Sequence, residues 1–245
     1  MKKQIVELDE RKAYERAKNY FIKICGFKNE IDKHEKILSL GMDARSQGVE
    51  GIRIKAVISS HGAEVFHNHK VIVDGIKFNC SAFEQIEQNC VKKVYAYVLT
   101  VGECNYREKD DIVKQVFCDI WGTAYTDSAR DLLEEWIRKD LEQEFLGQFG
   151  QDIYLSDAFG PGFYGMEVSQ SKDLCQILNA ERIGIQVKES GIMLPLKSCT
   201  GLYFVVTDSR NLPHPNCREC VGNYMGCSFC RFRQEHWDDR QEEII

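Results

Sequence analysis

The sequence has no uninterrupted apolar run approaching the length of a membrane span, which argues against a transmembrane helix. Its opening residues, MKKQIVELDERKAYER, lack the apolar core of a signal peptide. Positive charge is in deficit: 32 Lys and Arg against 38 Asp and Glu leave a net charge of −6. That balance argues against general binding to nucleic acid or to an anionic membrane. There is no P-loop, no GxGxxG dinucleotide fingerprint, and no convincing Ser-His-Asp or Cys-His arrangement. Proline is scarce as well; Pro161, Pro195, Pro213 and Pro215 all fall at breaks in the pattern. What remains is a cytoplasmic globular protein without the marks of the common hydrolytic or nucleotide-binding machineries.

With 245 residues, 43% hydrophobic and 29% charged, the chain is long enough to bury a sizeable core as one large domain or two small ones. Residues 9–25 predict an amphipathic helix with Ala13, Ala17, Tyr20, Phe21 and Ile24 on one face, Asp9 as cap and Gly26 as stop. A weaker helical pattern covers 31–41. Across 51–78 the period shortens to two, and Asp74 with Gly75 marks a tight hairpin, so antiparallel sheet is expected. His67 and His69 would share a strand face there and reach one metal, or form a solvated strand end. Ser81 to Glu84 reads as a capping box opening a helix through Phe83, Ile86 and Cys90. The apolar segment 94–101, ending at Gly102, predicts a central strand.

Two long helices are expected next. The first carries Ile112, Val113, Val116, Phe117, Ile120 and Trp121 behind acidic Asp110 and Asp111. The second carries Ala129, Leu132, Leu133, Trp136, Ile137 and Leu141. These stripes are core. Asp127 then falls near the start of the second helix, where an acidic residue also suits the helix dipole.

The stretch 154–206 organises the chain. It opens on a corner, Gly160, Pro161 and Gly162, followed by Phe163 and Tyr164. Such a corner can bare backbone N–H groups and let a ligand approach the main chain. A short helical pattern (Leu174, Ile177, Leu178), an extended 183–187, a break at Met193, Leu194 and Pro195, and a buried strand over 202–206 follow. In order and spacing this resembles the activation domain of vitamin B12-dependent methionine synthase. The residues that carry the resemblance are Pro161, Gly162 and Phe163, the run from Asn179 to Gly184, Glu189 and Ser190, Met193 with Pro195, and Ser198 to Phe204. The layout of 91–150 is also similar. Stand-alone forms of that domain exist.

The resemblance implies S-adenosylmethionine as ligand and methyl donor, for reductive methylation of a cobalamin carried in trans by a methionine synthase or related corrinoid methyltransferase. It implies an electron donor too. Holding the methyl group in line and excluding water would be the protein's main task. On this likeness Asp127 would help hold the ligand, and Gly160, Pro161, Gly162, Phe163 and Tyr164 would supply backbone and aromatic contacts. The family's arginine three residues before the corner proline is Ala158 here. Arg182 or Lys197 would have to meet the ligand's carboxylate instead.

Eleven cysteines are present. Cys25, Cys80, Cys90, Cys104, Cys118, Cys175 and Cys199 are scattered and read as small buried hydrophobes. Cys217, Cys220, Cys227 and Cys230, spaced C-x2-C-x6-C-x2-C, predict a metal site, as an iron–sulfur cluster or zinc. The short middle gap, the need for an electron, and Arg218, Arg231 and Arg233 favour the cluster. The resemblance does not extend to this tail. The expected architecture is α+β: N-terminal helices and an antiparallel or mixed sheet packed on long helices over 1–212, then a cysteine-rich appendage over 213–245. Two other readings stand beside the reactivation factor: a docking subunit of a corrinoid protein that does no methyl chemistry, and an iron–sulfur electron carrier on this fold.

Overall fold

The computed structural model describes residues 2–27, 32–48, 52–104, 111–147, 152–163 and 165–212. Chain order is β1 (Lys2–Glu7), α1 (Glu10–Cys25), α2 (Asp32–Gly48), β2 (Lys55–Gly62), β3 (Phe66–His67), β4 (Lys70–Val73), β5 (Ile76–Phe78) and β6 (Val91–Thr100). Then come α3 (Ile112–Glu144), β7 (Tyr154–Leu155), α4 (Gln170–Leu178), β8 (Gln186–Val187), β9 (Met193–Leu194) and β10 (Ser198–Val206). The main sheet runs β1-β2-β6-β10-β7, with β3-β4-β5 and β8-β9 as smaller sheets, and every pairing is antiparallel.

Both faces of the main sheet are covered. Tyr95, Tyr97 and Leu99 of β6, with Tyr203 and Val205 of β10, face α1, α2 and α3. Val94, Ala96 and Val98, with Leu202, Phe204 and Val206, face β3–β5 and α4. Double burial is why β6 reads as a continuous apolar run rather than as an alternating one. On the helical side Trp121 stacks on Phe21 at 4.2 Å and donates from Nε1 to the Gly41 carbonyl at 2.8 Å. Only glycine fits at position 41, because a Cβ would lie 2.6 Å from the Phe21 ring.

Helix α1 has the predicted ends: Asp9 accepts from the Arg11 and Lys12 amides, and Gly26 closes the helix at φ 67°. The Asp74 and Gly75 hairpin is also as read, with both residues at positive φ (50° and 80°).

Four expectations change. The two helices after β6 are one 33-residue helix, α3. Ala124, Tyr125 and Ser128 are buried between the two apolar stripes and join them, and the Ser128 hydroxyl donates to the Ala13 carbonyl at 2.8 Å. Asp127 is therefore mid-helix. The segment after Ser81 forms two 3-10 turns, Ser81–Gln85 and Gln88–Cys90, with no side-chain cap; Ile86 turns extended to lead into β6. His67 and His69 do not share a strand face. Asn68 and His69 are the positive-φ residues of the β3–β4 turn (49° and 58°), and His69 Nδ1 lies 3.1 Å from the Phe83 carbonyl. Of the extended stretch expected over 183–187 only Gln186–Val187 is strand, while Ile183 ends a 3-10 turn, Ala180–Ile183. The N-terminal edge strand β1 went unread because its charges mask a short alternation.

Candidate functional site

The corner is built on β10. Phe159 exchanges two backbone hydrogen bonds with Leu202, both 2.8 Å, and its ring packs among Phe83 and Phe204. Gly160 then runs so close to β10 that a Cβ would meet the Thr200 carbonyl oxygen at 2.6 Å. Gly162 is glycine for a different reason: its φ is 91°. The chain closes on itself here, Phe163 N–H donating to the Gly160 carbonyl at 3.0 Å and Gly162 N–H to the Met166 carbonyl at 2.8 Å. These two amides serve the turn, so they are not offered to a ligand as the sequence led us to expect. The Phe163 ring stands 54% exposed, an accessible aromatic face beside the corner. Tyr164 lies outside the described residues.

Asp127 projects from the middle of α3 towards the same strand. Its Oδ1 accepts from Arg130 Nη2 at 3.2 Å, with 32% of the Asp127 side chain and 23% of the Arg130 side chain exposed. Arg130 is the residue that sequence reading missed. Burial opposes its charge more than any single neighbour supports it, but the Asp127 carboxylate together with Tyr97, Cys199 and Tyr203 outweighs that, and the guanidinium pKa is raised. Its Nε is shielded from solvent and makes no hydrogen bond among the described residues. The pair acts on Cys199 of β10: burial pushes that thiol up to about 11, Arg130 pulls it back and Asp127 pushes it further up. Tyr97, hydrogen-bonded to Cys199 and itself raised by burial, and Tyr203 complete the surroundings of the guanidinium.

The structure thus brings Asp127 and the start of the corner to one stretch of β10, residues 199–202. Gly201 is the hinge of this contact. A Cβ there would lie 2.6 Å from the Phe159 carbonyl oxygen and 3.2 Å from the Tyr97 ring. Of the two cations proposed to replace an arginine at Ala158, Lys197 is engaged elsewhere. Lys197 pairs with Asp119 at 2.7 Å and bonds Thr123 at 3.1 Å. Arg182 rides on the 3-10 turn whose Ala180 and Ile183 pack in the opposite core. The sequence signal for Arg130 was its position three residues after Asp127 on one helix face.

On the other face of the sheet, a cleft of about 480 Å³ lies behind the corner, lined by His69, Lys70, Asn79, Ser81, Glu84 and Gly165 among others. Cys217, Cys220, Cys227 and Cys230 lie outside the described residues. Among the described residues no group of three or more His, Cys, Asp or Glu side chains is placed to hold a metal ion. Cys80, Cys104, Cys118 and Cys175 are buried, while Cys25, Cys90 and Cys199 are partly so; none of the seven forms a disulfide. No helix among the described residues is long and apolar enough to cross a membrane.

No family model matches the chain. No curated protein matches it in sequence either. A solved structure of the MetH reactivation domain bound to AdoHcy does match in fold, with a TM-score of 0.60 and 12% identity over 99% of this chain and 86% of that one. At so low an identity the likeness is one of architecture, and the chain has the α+β fold of the MetH reactivation domain.

Proposed function

We propose that the chain binds S-adenosylmethionine and serves to reactivate a cobalamin-dependent methionine synthase or related corrinoid methyltransferase. The observation that carries this reading is the convergence of the Asp127–Arg130 pair and the glycine corner on residues 199–202 of β10. A fold neighbour solved with AdoHcy supports it. Asp127 suits the ligand's ammonium group, the exposed Phe163 ring suits its adenine, and the close Gly160 backbone lets a nucleoside lie against the main chain. When bound, S-adenosylmethionine supplies an electrophilic methyl group on a good leaving group. The chain's own contribution is to orient that group and exclude water. The corrinoid would come on a partner protein. Cys217, Cys220, Cys227 and Cys230 would bind an iron–sulfur cluster or zinc, and a cluster would give the electron a route from a donor protein.

The test is calorimetric titration of anaerobically purified full-length protein with S-adenosylmethionine. Micromolar binding, weakened about tenfold by Asp127→Ala, is expected for the loss of one charge-assisted contact. If folded protein binds none, the reading fails, and the departure at Ala158 then favours a docking subunit without methyl chemistry.

A further inference from the structure

Arg130 presents a chemical problem that the fold does not solve. An arginine is seldom drawn into a protein interior unless its donors are used, because each buried donor left without an acceptor costs stability. Here one carboxylate oxygen engages Nη2, yet Nε, shielded from solvent, donates to nothing among the described residues. The surroundings do not remedy this. Tyr97 is turned to Cys199, whose sulfur is a weak acceptor beside a cation. Nor is the side chain sealed: 23% of it, and 32% of Asp127, reaches solvent. A purely structural ion pair of this exposure would add little to stability.

The pair also has a definite chemical complement. A carboxylate and a guanidinium held side by side match the ammonium and carboxylate of an α-amino acid, one group to each. Their position selects where that zwitterion would sit. Cys199, acted on by both charges, precedes Thr200 and Gly201, against which Gly160 and Phe159 are packed. Ala158, one residue before Phe159, packs on the α3 side of the sheet, where Arg130 also stands. A small side chain at 158 leaves that side to an arginine arriving from the helix instead of from the corner.

The geometry points to Arg130 as the residue that receives the carboxylate of the ligand's amino-acid moiety, with Asp127 taking its ammonium group. This rests on the nucleoside reading above and deepens it: the site selects a nucleoside that carries an α-amino acid. Arg130 is a specificity-determining residue on α3.

The experiment compares two thioether nucleosides by calorimetry on the full-length protein: S-adenosylhomocysteine, which carries the α-amino acid, and 5′-methylthioadenosine, which lacks it. Wild-type protein is expected to bind S-adenosylhomocysteine about 10- to 100-fold more tightly, the range set by charge-assisted hydrogen bonds. Arg130→Met should remove most of that preference while leaving methylthioadenosine affinity within about twofold. Arg130→Lys, which keeps the charge beside Asp127 but not the forked donors, should restore it in part. Equal binding of the two nucleosides by wild-type protein overturns the amino-acid subsite and leaves nucleoside binding intact. Equal loss of both in Arg130→Met, with the fold kept, makes Arg130 structural and overturns its assignment. Binding of neither overturns the subsite together with the reading beneath it. The wild-type comparison needs no variant, so the inference remains refutable even if Arg130→Met fails to fold.

Discussion

Gly160 and Gly162 stand two residues apart in one corner and are glycine for different physical reasons. At 160 the obstacle is external, the Thr200 carbonyl 2.6 Å from where a Cβ would be. At 162 the space is open, the nearest atom being a Val168 methyl at 3.8 Å, and the constraint is the backbone's own φ of 91°. Gly160→Ala must therefore push the corner off β10, while Gly162→Ala only strains the turn. We expect Gly160→Ala to cost about 1–3 kcal/mol, as overpacking against backbone does. The denaturant midpoint would read that loss, and ligand affinity would fall with it. A Gly160→Ala protein as stable as wild type and unchanged in binding would show that the close approach to β10 is not needed. The glycines and their corner were legible in the sequence. Their two different reasons were not, since one depends on a strand some forty residues further along the chain.

Helix α3 shows what periodicity can and cannot tell. Its apolar stripe at 129–141 is buried as read, with Trp136 partly so, but in the stripe at 112–121 only Phe117 and Trp121 are buried, Ile120 is partly so, and Ile112, Val113 and Val116 are exposed. The interval between them, 122–128, was expected to separate two helices. Tertiary contacts fill it instead: Ser128 bonds the Ala13 carbonyl, and the Arg45 guanidinium over the Tyr14 ring also bonds the Tyr125 hydroxyl. Polar side chains that would weaken an isolated helix are here satisfied across the interface with α1 and α2. The two accounts differ in one substitution. Thr126→Pro in a continuous helix removes a hydrogen bond and clashes with the preceding turn, at a cost of about 3 kcal/mol or more. We expect a large fall in the thermal midpoint. A protein that tolerates Thr126→Pro would have two helices, and Asp127 would lie in the first turn of the second.

At the scale of the molecule, the sheet separates two cores, each built among the described residues up to Leu212. We propose that the tail beyond 212, which lies outside the described residues, is a separate appendage that the domain does not need in order to fold, as the expected division at 212/213 has it. The expectation is that anaerobically purified full-length protein carries iron or zinc, and that Cys227→Ser empties the site while thermal unfolding of the domain is nearly unchanged. Elemental analysis and calorimetry of the two proteins decide it. Collapse of the whole fold on Cys227→Ser would make the tail part of the core and end the two-part division. Metal content unchanged by the substitution would remove these cysteines as ligands.

The sequence by itself determined the α+β class, the cap and stop of α1, the Asp74–Gly75 turn, the strand at 94–101 and the glycine corner. Each of these is governed by local periodicity or by a backbone conformation that few residues tolerate. Only the tertiary structure decided that α3 is continuous, that the corner's amides at 162 and 163 are spent on its own turn, and that Lys197 is committed to Asp119 and Thr123. It also decided that the arginine paired with Asp127 is Arg130. The reason is the same in each case: hydrogen-bond satisfaction and charge pairing are settled between elements distant in sequence, where no local pattern records them.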